Sequence, residues 1–156
     1  MKKALFLDRD GVINKDVGYL HKVQDFQFID GVFETCQFFK SKGYILIIIT
    51  NQSGIARGYY SEQDYEDLTE WMLEQFRFSG VYIDQVYHCP HHPDLNGICE
   101  CRKPMPGMIL KAKRDFDIDL HNSILVGDKK SDMVAAKSSG ILNRLLVRSG
   151  HVLSED

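Results

Sequence analysis

The chain has 156 residues, 44% of them hydrophobic, which suits one globular domain with a single sizeable core. Its formal net charge of −3 offers no basic footprint for nucleic acid, no apolar run reaches membrane-spanning length, and the N-terminus carries no signal-peptide core. The expectation is a cytoplasmic protein, a monomer by default, with neither nucleic acid nor membrane as partner.

The apolar run Leu5-Phe6-Leu7 leads into Asp8-Arg9-Asp10-Gly11. In an extended strand residues i and i+2 face the same side, so Asp8 and Asp10 are predicted to share one side with Arg9 pointing away. Two carboxylates so placed repel unless a proton or a cation lies between them, and a hard, oxygen-liganded ion such as Mg²⁺ meets that need. A solvated Asp-Arg-Asp turn is the plainer reading of these residues taken alone. Residues 13–20 have neither helical nor strand period and read as a loop leaving that strand end. From Asp30, a candidate N-cap, Val32, Cys36 and Phe39 recur at helical spacing up to Gly43, with Cys36 as a small core residue.

Residues 44–49 form an Ile-rich run typical of a strand buried on both faces, and it closes abruptly in Thr50-Asn51-Gln52-Ser53-Gly54. That cluster is either a phosphate-holding turn or an ordinary capping turn. Ser61-Glu62-Gln63-Asp64 resembles a capping box ahead of a helix with Tyr65, Leu68, Met72 and Phe76 on its apolar face. Residues 81–87 read as a third strand.

Cys89, His91, Cys99 and Cys101 form two short pairs, Cys-x-His and Cys-x-Cys, about a polar turn, within a loop over residues 88–103. Four soft ligands of this kind suit a closed, structural, tetrahedral Zn²⁺ site; His91 is preferred to His88 and His92 because it makes the pairs symmetric. Arg102 and Lys103 end that loop, either as solvated bases or as cations for a phosphate ester. Pro106-Gly107 opens a helix with Ile109, Leu110, Lys113 and Phe116. Residues 123–126 form a fourth strand stopping at Gly127-Asp128-Lys129, a helix spans about 131–139, residues 143–147 supply a fifth strand, and the tail from Arg148 is short and polar.

Alternating strands and helices predict an α/β, Rossmann-like, doubly wound and mainly parallel sheet with helices on both faces. Ligands in such sheets lie beyond the carboxyl ends of the strands, where Asp8, Asp10, Thr50 to Gln52, Arg102, Lys103 and Asp128 can converge. Three carboxylates for Mg²⁺, a hydroxyl and two cations around one point suit phosphoryl transfer, with Asp8 as nucleophile and Asp10 as acid and later base.

The stretches Phe6-Leu7-Asp8-Arg9-Asp10-Gly11-Val12-Ile13-Asn14, Asn51-Gln52-Ser53-Gly54-Ile55-Ala56-Arg57-Gly58, Cys89-Pro90-His91-His92-Pro93 and Cys101-Arg102-Lys103-Pro104, with Gly127-Asp128 and Asp132, resemble the haloacid dehalogenase-like phosphatases. More narrowly they resemble the heptose 1,7-bisphosphate 7-phosphatase family, related to the histidinol-phosphatases. The resemblance implies a single domain over residues 1–156 without a separate cap domain, and a Mg²⁺-dependent sugar bisphosphate phosphatase working through an aspartyl-phosphate in heptose synthesis for bacterial surface polysaccharide. Histidinol-phosphate phosphatase is the alternative. It further implies Mg²⁺ held by Asp8, Asp128 and the Asp10 carbonyl, with Asp132 supporting. Thr50 and Lys103 would stabilise the phosphoryl group, Arg102 would recognise the other phosphate, and Asp16, Gly18, Tyr19, Asn51, Gln52, Ser53 and Lys129 would line the substrate pocket. Cys89, His91, Cys99 and Cys101 match that family's zinc loop.

Overall fold

A computed structural model describes residues 1–148 and 152–154. The strands are β1 (Ala4–Leu7), β2 (Ile45–Asn51), β3 (Gln85–Cys89), β4 (Ile124–Gly127), β5 (Asn143–Arg148) and β6 (Val152–Ser154); the α-helices are α1 (Val32–Ser41), α2 (Glu62–Phe78), α3 (Pro93–Asn96), α4 (Gly107–Phe116) and α5 (Lys130–Ser139). They make one sheet of order β3-β2-β1-β4-β5-β6, parallel except for β6, which runs antiparallel to β5.

Strand alternation explains the two-sided core. Ala4, Phe6, Ile47, Ile49 and Leu125 pack against Met108, Ile109 and Ala112 of α4 and Met133, Ala135 and Ala136 of α5. Leu5, Leu7, Leu46 and Ile48 face the other way, onto Val32 and Cys36 of α1 and Leu68, Met72 and Phe76 of α2. The chain winds outward from β1 through β2 to β3, then crosses to β4 on the other side of β1. The β1/β4 boundary is therefore the topological switch point where a doubly wound sheet opens a ligand crevice. No helix among the described residues is long and apolar enough to cross a membrane.

Local signals fix most boundaries. Ser61 caps α2 in a reciprocal capping box, its hydroxyl accepting from the Asp64 N–H while the Asp64 carboxylate accepts from the Ser61 N–H. Gly140 ends α5 in the left-handed region.

Four expectations are corrected. The N-cap of α1 is Gly31, at φ 89°, rather than Asp30. On α4 the buried face is Met108, Ile109 and Ala112, leaving Lys113 outside. The third strand begins at Gln85 rather than at residue 81: Val81 and Ile83 tuck beneath α2, and Asp84 turns its carboxylate onto the Leu46 N–H and Lys40. The ladder starts after that anchor and runs on through His88 and Cys89. Finally, part of the tail that reads as merely polar pairs with β5 as β6.

Candidate active site

Asp8 and Asp128 leave the ends of β1 and β4 on either side of the switch point, and the Asp8 N–H donates to the Val126 carbonyl at 3.1 Å. Asp8 is almost wholly buried; its Oδ1 accepts from the Arg9 N–H at 2.9 Å and from Lys103 Nζ at 2.9 Å. Lys103 Nζ also lies 2.6 Å from Asp132 Oδ1 and donates to the Ile49 carbonyl at 3.2 Å. Burial works against charge on both partners. It pushes the Asp8 carboxyl well above the ordinary carboxylate range, with Lys103 pulling the other way and Asp132 and Asp128 adding to the rise. For Lys103 burial acts downward but is outweighed by Asp8 and Asp132, which hold the ammonium above its usual value.

Asp128 has a buried Oδ1 with no hydrogen-bond partner among the described residues, and its carboxyl is raised by burial, the contact with Asp8 opposing and the charge of Asp132 adding. Carboxylate oxygens of Asp8, Asp128 and Asp132 lie within 4.8 Å of one another. Asp132 is already committed: its Oδ2 accepts from the Asp128 and Lys129 N–H groups at 3.1 Å each while Oδ1 meets Lys103. An orphaned carboxylate oxygen beside a second carboxylate is a donor set that fits a hard cation such as Mg²⁺. Gly11, at φ 93°, permits this approach, since a Cβ there would lie 2.1 Å from Asp128 Oδ2.

Asp10 is gripped on both oxygens. Oδ1 accepts from Arg9 Nε at 3.2 Å, Arg9 Nη2 at 3.0 Å and Asn14 Nδ2 at 3.0 Å; Oδ2 accepts from Gln52 Nε2 at 3.1 Å and Arg9 Nη2 at 3.3 Å. Arg9 therefore does not point away. Because β1 ends at Leu7 and the Arg9 carbonyl accepts from the amides of Val12, Ile13 and Asn14, the chain turns and carries the guanidinium inward to 1% exposure. Asp8 and Asp10 nonetheless line the same small polar cavity of about 50 Å³, with Asn51, Lys103, Lys129, Ser131 and Asp132. A wider groove of about 620 Å³ between α2 and β3 holds none of the clustered carboxylates; chemistry rather than size locates the site.

Several of the side chains expected around the substrate make hydrogen bonds within the protein. Asn51 clamps the main chain of Lys103, its Oδ1 accepting from the Lys103 N–H and its Nδ2 donating to the Lys103 carbonyl. Gln52, 2% exposed, binds Asp10, Thr50 and Tyr60. Thr50 is buried, with Oγ1 accepting from Gln52 Nε2 at 2.9 Å. Ser53 opens the next turn, its carbonyl accepting from Arg57. Asp16, Gly18 and Tyr19 lie in an exposed loop where Asp16 Oδ1 accepts from the Gly18 N–H, and none of them lines the cavity. Arg9, Asn14, Tyr60 and Ser131 escape sequence reasoning: a lone polar residue gives no sign of which partner it turns to, although Ser131 stands three residues beyond Asp128.

The Cys/His loop starts at the end of β3, one strand from Thr50, and its last ligand, Cys101, stands two residues before Lys103. Its four ligand atoms converge: Cys89 Sγ to Cys99 Sγ is 3.7 Å, Cys99 Sγ to Cys101 Sγ 3.6 Å, Cys89 Sγ to His91 Nδ1 3.6 Å and Cys101 Sγ to His91 Nδ1 3.4 Å. Tetrahedral Zn²⁺ with ordinary bond lengths requires edges of about 3.8 Å between sulfurs and about 3.5 Å from sulfur to nitrogen. The cluster fits that ion, and all four cysteines are free of disulfides. His88 is held by Glu62 and stacks on Tyr65, while His92 accepts from the Asp94 N–H ahead of α3; neither joins the cluster. Arg102 Nη1 donates to the His91 carbonyl at 3.2 Å.

Comparison with known proteins agrees with this geometry. The Hydrolase_like model, described as HAD-hydrolase-like, matches residues 100–156. A D-glycero-beta-D-manno-heptose-1,7-bisphosphate 7-phosphatase of Pasteurella multocida is 51% identical, the match covering 100% of this chain and 87% of that protein. A D-glycero-alpha-D-manno-heptose-1,7-bisphosphate 7-phosphatase of Campylobacter jejuni is 55% identical over 93% of this chain and 82% of that protein. The crystal structure of D,D-heptose 1,7-bisphosphate phosphatase from B. bronchiseptica, complexed with magnesium and phosphate, superposes with a TM-score of 0.85 at 32% identity, covering 95% of this chain and 83% of that one. A relative more than half identical, over nearly the whole length of both chains, places this sequence within the family. The chain belongs to the D-glycero-D-manno-heptose-1,7-bisphosphate 7-phosphatases among the haloacid dehalogenase-like hydrolases, and it is a phosphoric monoester hydrolase.

Proposed function

We propose that the protein removes the 7-phosphate of D-glycero-D-manno-heptose 1,7-bisphosphate through an aspartyl-phosphate on Asp8. The observation that carries this reading is the buried Asp8 carboxylate at the cavity floor, with Lys103 on its Oδ1 and Asp10 beside it. One Asp8 oxygen attacks phosphorus; the bond from phosphorus to the sugar oxygen breaks, and that oxygen keeps the electron pair and takes a proton from Asp10. In the second half Asp10 accepts a proton from water as the water oxygen attacks phosphorus, which frees phosphate and restores Asp8. Lys103 and Thr50 stabilise the transferring group, Lys103 by charge and Thr50 by its hydroxyl. The Asp8 and Asp128 carboxylates and the Asp10 carbonyl would hold Mg²⁺, with Asp132 orienting Lys103 and the 128–129 backbone. Bound magnesium supplies fixed divalent charge against the phosphoryl oxygens. Arg102, Lys129 and the loop carrying Asp16, Gly18 and Tyr19 surround the remainder of the substrate, with Arg102 meeting the second phosphate.

Relatives of similar identity carry alpha and beta names, so the anomer is a question for assay, and nothing in these relatives supports histidinol phosphate. The test is phosphate release from both heptose 1,7-bisphosphate anomers and from histidinol phosphate, with and without Mg²⁺. Magnesium-dependent release from one heptose anomer, favoured over histidinol phosphate by at least about 100-fold in kcat/KM, is expected; such a ratio needs about 2.7 kcal/mol of differential transition-state binding, within reach of one extra phosphate contact. A preference for histidinol phosphate would overturn the substrate assignment.

Cys89, His91, Cys99 and Cys101 are assigned to a structural Zn²⁺ that fixes where Lys103 enters the site. The purified protein is expected to contain about one zinc per chain. Removing it should lower Tm and reduce turnover together, both returning when zinc is restored. Metal analysis showing zinc gone while Tm and turnover stand unchanged would refute this role.

A further inference from the structure

The structure assigns Tyr60 a part in the chemistry: we propose that it is a positioning residue which, through the Gln52 side chain, aims the working oxygen of Asp10 at the leaving group. This rests on the reading that Asp10 protonates the departing sugar oxygen.

The Tyr60 hydroxyl donates to Gln52 Oε1 at 2.5 Å, and Gln52 Nε2 sends its two N–H bonds to Asp10 Oδ2 at 3.1 Å and Thr50 Oγ1 at 2.9 Å. Every polar atom of the Gln52 amide is thereby used, inside a region where Tyr60 is 6% and Gln52 2% exposed. The orientation is single-valued. Turning the amide over would set Oε1 against a carboxylate oxygen and remove the acceptor from the tyrosine O–H. Burial pushes the Tyr60 phenol up to about 12, so the hydroxyl keeps the proton it donates at any ordinary working pH.

The ring itself cannot swing. On one side it meets the backbone of Gly54, where a Cβ would lie 2.2 Å from Tyr60 Cε1; His21 stacks on it at 5.1 Å between centroids with 13° between planes. The two oxygens of Asp10 are not equivalent either. Oδ1 accepts from Arg9 Nε, Arg9 Nη2 and Asn14 Nδ2, which saturates it, whereas Oδ2 accepts from Gln52 and a longer contact to Arg9. Oδ2 is thus the oxygen left with more capacity for a proton in transit, and Gln52 makes the shorter of its two hydrogen bonds. A line of contacts runs from His21 at the surface through Tyr60 and Gln52 to Asp10 and Thr50.

The test exploits the leaving group. A sugar alkoxide must be protonated as it departs, but p-nitrophenolate leaves without a proton. Single-turnover phosphoryl transfer is measured on heptose 1,7-bisphosphate and on p-nitrophenyl phosphate for the parent, Tyr60→Phe, Gln52→Met, the double variant and Asp10→Asn. Tyr60→Phe should slow the sugar reaction by about 10- to 100-fold, a fraction of what general acid catalysis supplies, with substrate affinity held and the nitrophenyl reaction close to that of the parent. Gln52→Met should slow the sugar reaction at least as much and, because Gln52 also donates to Thr50, the nitrophenyl reaction to a smaller extent. The double variant should go no further than Gln52→Met, because both changes cut one line. Equal slowing of both substrates by both single variants, or additive losses in the double variant, would overturn the proposal. If Asp10→Asn shows the leaving-group selectivity and neither single variant does, the positioning role falls and the acid role stands; if Asp10→Asn lacks it, the acid role falls and takes this proposal with it. Should Tyr60→Phe fold poorly, Tyr60→Met, which also lacks the hydroxyl, takes its place in the comparison with the same two outcomes.

Discussion

Replacing Asp8 with Asn is expected to abolish turnover, by at least about 10⁴-fold in kcat, while leaving the fold and its Tm essentially unchanged. The size of the loss follows from the role proposed for Asp8: an amide cannot take its place in forming the acyl-phosphate, and a nucleophile has no substitute among its neighbours. The unchanged stability follows from burial. The Asp8 carboxyl is pushed well above its ordinary range because burial disfavours its charge, so a neutral isostere removes a cost as well as a contact. Lys103 keeps Asp132 at 2.6 Å and the Ile49 carbonyl at 3.2 Å, so the ammonium is not orphaned. The measurement is phosphate release, together with acid quenching of the enzyme mixed with radiolabelled substrate. The parent should yield a protein-bound, hydroxylamine-sensitive phosphoryl group, and the variant none. A phosphoenzyme still trapped in Asp8→Asn would move the nucleophile to another carboxylate.

How far the site could be read in advance depended on whether a residue's role lies in its own chemistry or in its partner's. Asp8, Asp10 and Asp128 follow the ends of buried strands, and the topology of a doubly wound sheet brings such ends together, whereas Lys103 reaches the site from the far end of the Cys/His loop. The metal-type cluster of Cys89, His91, Cys99 and Cys101 was legible because few other fates suit four soft ligands in one loop. Arg9 was misplaced because the i, i+2 rule assumes that the strand continues, whereas the ladder stops at Leu7 and the chain closes a turn on the Arg9 carbonyl. Asn51 and Gln52 stand where a ligand-facing residue would stand, yet their amides are spent on Lys103 and Asp10. Sequence places a polar side chain at a strand end but does not say whether it looks outward or back. The same limit hides Tyr60, whose eight-residue separation from Gln52 spans a turn rather than any regular period. The early start given to the third strand has a comparable cause: Val81 and Ile83 are apolar and alternate correctly, but Asp84 uses its carboxylate on Leu46 and delays the ladder.

The second large effect is expected at Lys103. Its ammonium lies between Asp8 Oδ1 at 2.9 Å and Asp132 Oδ1 at 2.6 Å, and all three residues are almost fully buried. Lys103→Met keeps the apolar stem and removes only the charge, which leaves two buried carboxylates facing each other with Asp128 close by. Breaking a buried pair from one side costs about 3–5 kcal/mol, because the remaining charge is neither hydrated nor compensated. The variant should therefore unfold at distinctly lower urea concentration and lose phosphatase activity, the latter because the cation proposed to face the phosphoryl group is gone. The stability loss and the catalytic loss have separate causes, and a second substitution separates them. Adding Asp132→Asn to Lys103→Met removes one of the stranded charges and should restore much of the stability without restoring turnover. Urea titrations without added magnesium, alongside phosphate release with it, read both quantities. A Lys103→Met protein as stable as its parent would mean that the two carboxylates are already neutral or solvated, and the charge balance described for the site would have to be redrawn. Recovery of turnover in the double variant would instead show that the lysine serves only to neutralise Asp132 and has no part in holding the phosphoryl group.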